Sequence, residues 1–165
     1  CSFADRANET FVLVGTVVGL RSATRAAQGM VHVYSVADKA QLTLLHRTAV
    51  EGVPRAMCAF QGRVLIGSDK ALRIYDIGKK KILHKCANKK FSSWIQSVHV
   101  LGERIFVADA TDSVSFVRYN SLTNSLETVA SDSRPRWVTA ACQLDDDTMA
   151  GGDKYGNIFV CRLSA

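Results

Sequence analysis

The sequence predicts an all-β fold: a WD40-like β-propeller, present as between three and four four-stranded blades of a larger one. Three observations predict it. A strand–turn–strand unit recurs about every 41 to 44 residues, the spacing of four-stranded propeller blades. The apolar residues fall in short β-branched and aromatic runs closed by polar turns, at regular intervals. No window sustains the i, i+3, i+4, i+7 apolar pattern of an amphipathic helix with caps.

The units are read in chain order, with the strands of a blade named a to d. The first opens on a b strand, "FVLVGTV" from Phe11, and "VGLRSATRAAQGM" then inserts a polar loop with Arg21 and Arg25 between Val18 and Met30. The c strand "HVYSV" ends at Val36, and "LTLLHRT" from Leu42 is strand d. The second unit is complete: "AMCAFQGR" from Ala56, "RVLIGSD" from Arg63, "RIYDI" from Arg73 and "KILHKC" from Lys81. The third repeats it with "SVHVLGER" from Ser97, "RIFVADA" from Arg104, "VRYN" from Val117 and "SLETVAS" from Ser125. The last has "AACQLDDD" from Ala140, "DTMAGGD" from Asp147 and "VCRL" to Leu163.

Tyr34, Tyr75, Tyr119 and Arg162 align in strand c, and Val53, Trp94 and Trp137 at the blade entries. Residues 1–165 are therefore expected to be a fragment of one propeller. It has two complete blades at about 53–131, flanked by partial blades at about 11–50 and 136–163. Blades pack on their neighbours, so the end blades should present raw faces for the remainder of the propeller or a partner. A first residue that is Cys1, not Met, fits a piece of something larger.

The chain has 165 residues, 47% of them hydrophobic and 22% charged, enough for one domain with a real core and unlike a disordered segment. No apolar run approaches the roughly 20 residues of a membrane helix, so no membrane is expected among its partners. Five scattered cysteines without a CxxC pair read as reduced thiols. Cys58, Cys142 and Cys161 are expected to pack as small apolar strand residues.

The net charge of +6 and a pI near 9.2 permit contact with nucleic acid or an acidic protein. Much of the excess sits in "GKKKILHKCANKK", Gly78 to Lys90. Its Lys79, Lys80, Lys81, Lys85, Lys89 and Lys90 read either as a solvated strand edge and turn or as a partner or RNA surface. Arg134 and Arg136 of "SRPRWV" join that candidate surface; Trp137 beside them could stack a base, but its match to Trp94 makes it a blade-entry core residue.

Other candidate sites resolve into architecture. "GGDKYGNIFVCRL", Gly151 to Leu163, resembles a phosphate loop at first sight. It lacks the GK[ST] ending and the following helix, and "GSDKALRIYDI" from Gly67 repeats its shape. It is the b–c turn of a blade: Gly151 and Gly152 close strand b in a crowded position, and Gly156 or Asn157 takes φ > 0. Asp145, Asp146 and Asp147 form a hairpin turn without the spacing of a cation loop. His46 and His84 stand at matching places in two d strands, and no histidine has metal-type spacing. With no nucleophile–base–orienter set, the expectation is a protein that is not an enzyme, with no cofactor and no metal.

"VPRAMCAFQGRVLIGSDKALRIYDIGKKKILHKC" (Val53 to Cys86) and "RPRWVTAACQLDDDTMAGGDKYGNIFVCRL" (Arg134 to Leu163) resemble the splicing factor 3b subunit 3 family. Its wider superfamily includes damaged-DNA-binding protein 1 and the large subunit of cleavage and polyadenylation specificity factor. The resemblance covers about Phe11 to Leu163; the Cys1–Thr10 leader and the Gly19–Gly29 insertion depart from it. It implies three seven-bladed propellers, with this chain in the third. It also implies a non-catalytic scaffold in the nucleus, in the U2 small nuclear ribonucleoprotein of pre-mRNA splicing. The implied partners are the other splicing factor 3b subunits, the HEAT-repeat large subunit and the smallest among them, with RNA reached through them. Two alternatives stand beside it: a module that binds nucleic acid directly, and a ubiquitin-ligase adaptor of the damaged-DNA-binding type.

Overall fold

In the computed structural model, which describes residues 1–5, 9–19, 28–37 and 41–163, apolar residues at alternating strand positions give each sheet two usable faces. The described residues form fifteen strands and no helix, in four antiparallel sheets. The first sheet is β1 (Ser2–Ala4), β2 (Thr10–Val18), β3 (Gln28–Ala37) and β4 (Gln41–Val50). The second is β5 (Pro54–Phe60), β6 (Arg63–Ser68), β7 (Ala71–Ile77) and β8 (Ile82–Asn88). The third is β9 (Ile95–Leu101), β10 (Arg104–Asp109), β11 (Ser113–Asn120) and β12 (Ser125–Ser131). The fourth has three strands, β13 (Val138–Gln143), β14 (Thr148–Asp153) and β15 (Ile158–Arg162). Within each sheet the spatial order follows the chain, and strands β5, β9 and β13 lie next to one another. This is a partial propeller whose ring is not closed.

Side chains alternate between sheet faces, and the three core clusters follow that alternation. Phe11, Leu13, Val31 and Val33 of the first sheet meet Val64, Ile66 and Tyr75 of the second. The second sheet's other face, with Leu65, Leu72 and Ile74, meets Ile105, Val107 and Val117 of the third. Phe106, Ala108, Val114 and Phe116 on the far side of the third meet Met149 and Phe159 of the fourth. Each fully buried Leu, Ile, Val or Phe stabilises by about 1.5–3 kcal/mol, so the inter-sheet seams carry the fold.

The structure corrects the sequence reading at several points. The first sheet begins at Ser2, not near residue 11, because the leader supplies β1. Phe3 is buried against Phe11 with ring centroids 6.1 Å apart. The Cys1 amino group donates to the Leu13 carbonyl at 3.1 Å, and the Leu13 N–H donates to the Cys1 carbonyl. The c-strand column also shifts. Tyr34 lies opposite Val12, Tyr75 opposite Val64, Val117 opposite Ile105 and Cys161 opposite Met149. Tyr119 and Arg162 stand two residues and one residue past it, and the b–c turns after the first sheet differ in length. They leave two residues between Ser68 and Ala71, three between Asp109 and Ser113, and five between Gly152 and Ile158. A one-residue slip moves a side chain to the opposite face, and Arg162 accordingly points to solvent and pairs with Asp147 at 3.2 Å.

His46 and His84 do not share a register position either. His46 pairs with Val33 beside a bulge and is buried, its Nε2 3.0 Å from the Gly78 carbonyl. His84 pairs with Tyr75 and is exposed. Of the cysteines, Cys86 is the buried one and Cys142 is exposed. Cys142 lies opposite Ala150 on the face of the fourth sheet that no further sheet covers among the described residues. The insertion carrying Arg21 and Arg25 lies outside the described residues.

Candidate interaction surface

Connections alternate between the two ends of the molecule. The d–a connections and b–c turns share one end: Ile95 N–H donates to the Asp69 carbonyl, Ala110 N–H to the Trp94 carbonyl and Lys154 N–H to the Trp137 carbonyl. The a–b and c–d turns share the other, where Arg63 donates to the Tyr119 hydroxyl at 2.9 Å and Arg104 to the Asp146 carbonyl at 2.7 Å.

This divides the eight basic residues expected to make one surface. Lys79, Lys80 and Lys81 are exposed in the turn from β7 to β8, at the c–d end. Lys85 projects from β8 towards Asp76 at 3.7 Å. Lys89 and Lys90 follow β8 at the d–a end, where Lys89 lies 3.5 Å from Glu51. Arg134 is exposed in the connection from β12 to β13. Arg136 turns inward, its Nε 2.8 Å from Asp132 and its guanidinium 4.5 Å from the Phe159 ring centroid. The eight form no single patch.

Asp132 organises the seam between the third and fourth sheets. It accepts hydrogen bonds from the Ser113 hydroxyl of β11 at 2.8 Å, from Arg136 and from the Cys161 thiol of β15 at 3.4 Å, and the Arg134 N–H reaches its other oxygen at 3.1 Å. Burial opposes its ionisation, but these donors outweigh burial and hold its carboxyl down at about 2. The Cys161 thiol is pushed up to about 11, first by burial and then by the Asp132 charge beside it.

The aromatic residues that sequence reading placed in the core are half open. Ile95 and Val138 are the buried residues at the blade entries; Trp94 and Trp137, one position earlier, are 46% and 42% exposed. The Arg55 guanidinium lies 5.3 Å from the Trp94 ring centroid, and Lys154 Nζ lies 3.0 Å from that of Trp137. Tyr155, next to Lys154, is 67% exposed. No sequence period distinguishes a half-open entry residue from a buried one, so this signal was not available beforehand. Between the two Trp-bearing connections lies a cleft of about 400 Å³, lined by Ser92, Ser115, Thr128, Ser131 and Ser133 and by Asp109, Asp112 and Asp132.

The Gly151–Gly156 stretch is a turn between strands. An added Cβ at Gly151 would meet the Phe159 ring at 2.5 Å and the Ala140 carbonyl at 3.1 Å, so crowding requires glycine there; Gly152 has room. Gly156 has φ of +87°. Asp153 accepts from the N–H groups of Tyr155 and Asn157 at 2.8 and 2.9 Å, filling the turn with the chain's own carboxylate. Among the described residues no group of three or more His, Cys, Asp or Glu is placed to hold a metal ion.

Repeated sheets with one open face at each end define a stretch of β-propeller. The chain belongs to the CPSF A subunit region family, whose model matches residues 1–165. It is 44% identical over 165 residues to Splicing factor 3B subunit 3 of Danio rerio, 99% of this chain and 14% of that protein. It is 44% identical to Spliceosome-associated protein 130 A of Arabidopsis thaliana and 43% identical to Pre-mRNA-splicing factor RSE1 of Mycosarcoma maydis. Each alignment covers 98% of this chain, and 14% and 13% of those relatives. The chain thus spans about one seventh of the relatives it matches.

Proposed function

We propose that this chain is a non-catalytic interaction segment of a propeller scaffold that acts in pre-mRNA splicing, within the U2 small nuclear ribonucleoprotein in the nucleus. Its partners are the remainder of its own propeller and other splicing factor 3b subunits, the HEAT-repeat large subunit and the smallest subunit among them. The observation that carries this reading is 41–44% identity, over 93–99% of the chain, to splicing factors and spliceosome-associated proteins of animals, a plant, a fungus and a slime mould.

The architecture supports it. Both outer sheets keep an apolar face without a neighbour among the described residues. On the fourth sheet Ile158 and Val160, opposite Gly152 and Ala150, are 86% and 60% exposed. On the first sheet Val14 is exposed and Val12 and Tyr34 are half-buried. Large apolar surface of this kind marks an interaction site. Affinity purification of the intact protein from nuclear extract tests the reading. Co-purification of U2 components and other splicing factor 3b subunits is expected. Recovery of cullin subunits without them would overturn it in favour of a ubiquitin-ligase adaptor.

A further inference from the structure

The d–a end of the molecule combines features that the scaffold role does not use. Trp94 and Trp137 occupy equivalent entry positions of successive sheets, each half open and each carrying a cation on its ring. Tyr155 extends this aromatic row on the neighbouring b–c turn, its ring 5.1 Å from the same Lys154 that caps Trp137. Lys90 and Arg134 are exposed at the same end, and neither side chain forms an ion pair among the described residues.

The carboxylates of this end are mostly turned to internal use. Asp69 accepts from the Val53 N–H, and Asp109 from the N–H groups of Ser93, Thr111 and Asp112. Asp132 is held by Arg136 and Ser113, and Asp153 by its own turn. Their charge is spent on N–H and guanidinium groups. Asp112 is the exception: it is exposed, lines the cleft, and its carboxylate has no partner among the described residues.

We propose that this end is a ledge for single-stranded RNA. Bases stack on Trp94, Trp137 and Tyr155, and phosphates meet Lys90, Arg134 and Lys154. Aromatic platforms interleaved with cations are the physical signature of single-strand binding, because every base has a π-face and every nucleotide a phosphate. A Lys or Arg resting on an indole can give way to a base while its charge stays beside the following phosphate. The cleft joins the two Trp-bearing connections, through Ser92 on one side and Ser133 and Pro135 on the other. Its serine and threonine side chains suit ribose, whose 2′-OH both donates and accepts. Of the three aspartates lining it, Asp109 and Asp132 already accept from N–H, hydroxyl and guanidinium donors. An acidic peptide would use the same cations but would have no need of the exposed rings. The ledge is separate from the open sheet faces through which the scaffold partners are proposed to bind, so either proposal can fail alone.

The test is fluorescence anisotropy of the intact protein with a labelled 12-nucleotide oligouridine over a salt series. Three phosphate contacts predict that log K falls with log salt with a slope of about −2, at about 0.7 per contact for single strands. Trp137→Ala should weaken binding roughly tenfold, as loss of one stacked base does. Because Trp137→Ala could disturb the blade entry, Lys154→Glu, on an exposed turn outside the buried core, supplies a second weakening variant. Asp112→Asn should strengthen binding by removing an opposing charge. Lys79→Ala with Lys80→Ala, at the opposite end, should leave it unchanged. No binding at 50 mM salt, or equal loss from the Lys79/Lys80 pair, would overturn the ledge. Competition by polyglutamate as effective as by unlabelled RNA, with Trp137→Ala neutral, would overturn it in favour of an acidic peptide.

Discussion

The seam between the second and third sheets and the seam between the third and fourth are built differently. The first is filled by Leu65, Leu72 and Ile74 against Ile105, Val107 and Val117, all essentially inaccessible. The second has fewer large side chains on its far side: Val138, Met149 and Phe159 are the fourth sheet's buried apolar residues, and Gly151 leaves β14 without bulk beside Phe159. It is braced by the Asp132 network, which ties β11, the β12–β13 connection and β15 together. Where apolar area runs short, a satisfied polar cluster takes over, and a blade secured in this way depends on a few charged groups.

That contrast can be broken at either seam. The largest effect is expected from Ile74→Ala, which empties a fully buried position and should destabilise by about 2–5 kcal/mol in urea unfolding. Asp132→Asn should cost roughly 2 kcal/mol at neutral pH. The folded carboxyl ionises well below its unfolded range, so its contribution is present above about pH 4 and is lost as pH falls towards 2. The acid limb of the stability profile should therefore flatten between about pH 4 and 2 in this variant, whereas Ile74→Ala should lower the whole profile without changing its shape. Gly151→Ala is expected to cost about 1–3 kcal/mol, since the added methyl must displace Phe159 or the Ala140 carbonyl; a neutral result would mean that the second seam adapts. The smallest effect belongs to Arg162→Ala, which removes an exposed ion pair and should stay within about 0.5 kcal/mol.

Sequence periodicity made the sheet architecture legible because each strand's apolar face must recur. β12 coincides with the segment from Ser125 to Ser131 read from the sequence, and β6, β7 and β14 lie within a residue or two of theirs. What the pattern could not carry is register. Tyr119 and Tyr75 look equivalent as letters, but a b–c turn one residue longer places Val117 in that column. The leader strand β1 was hidden because three residues make no period; its pairing with β2, the Phe3–Phe11 contact and the Cys1–Leu13 hydrogen bonds reveal it. The candidate surface was legible as composition and not as place. Lysines adjacent in "GKKKILHKCANKK" are separated by the length of β8 and reach opposite ends of the molecule. The half-open tryptophans depend on how a connection leaves its sheet, which neighbouring residues in sequence do not encode.

If the outer sheet faces are blade-to-blade surfaces of a larger propeller, they are covered in the intact protein. Site-resolved maleimide labelling of the intact protein tests this most directly, comparing Val160→Cys on the open face of β15 with Leu122→Cys on the exposed β11–β12 turn. Rapid labelling of the Leu122→Cys variant and strong protection of the Val160→Cys variant are expected. Equal labelling at both positions would show the face bare in the intact protein and would contradict a blade-to-blade role.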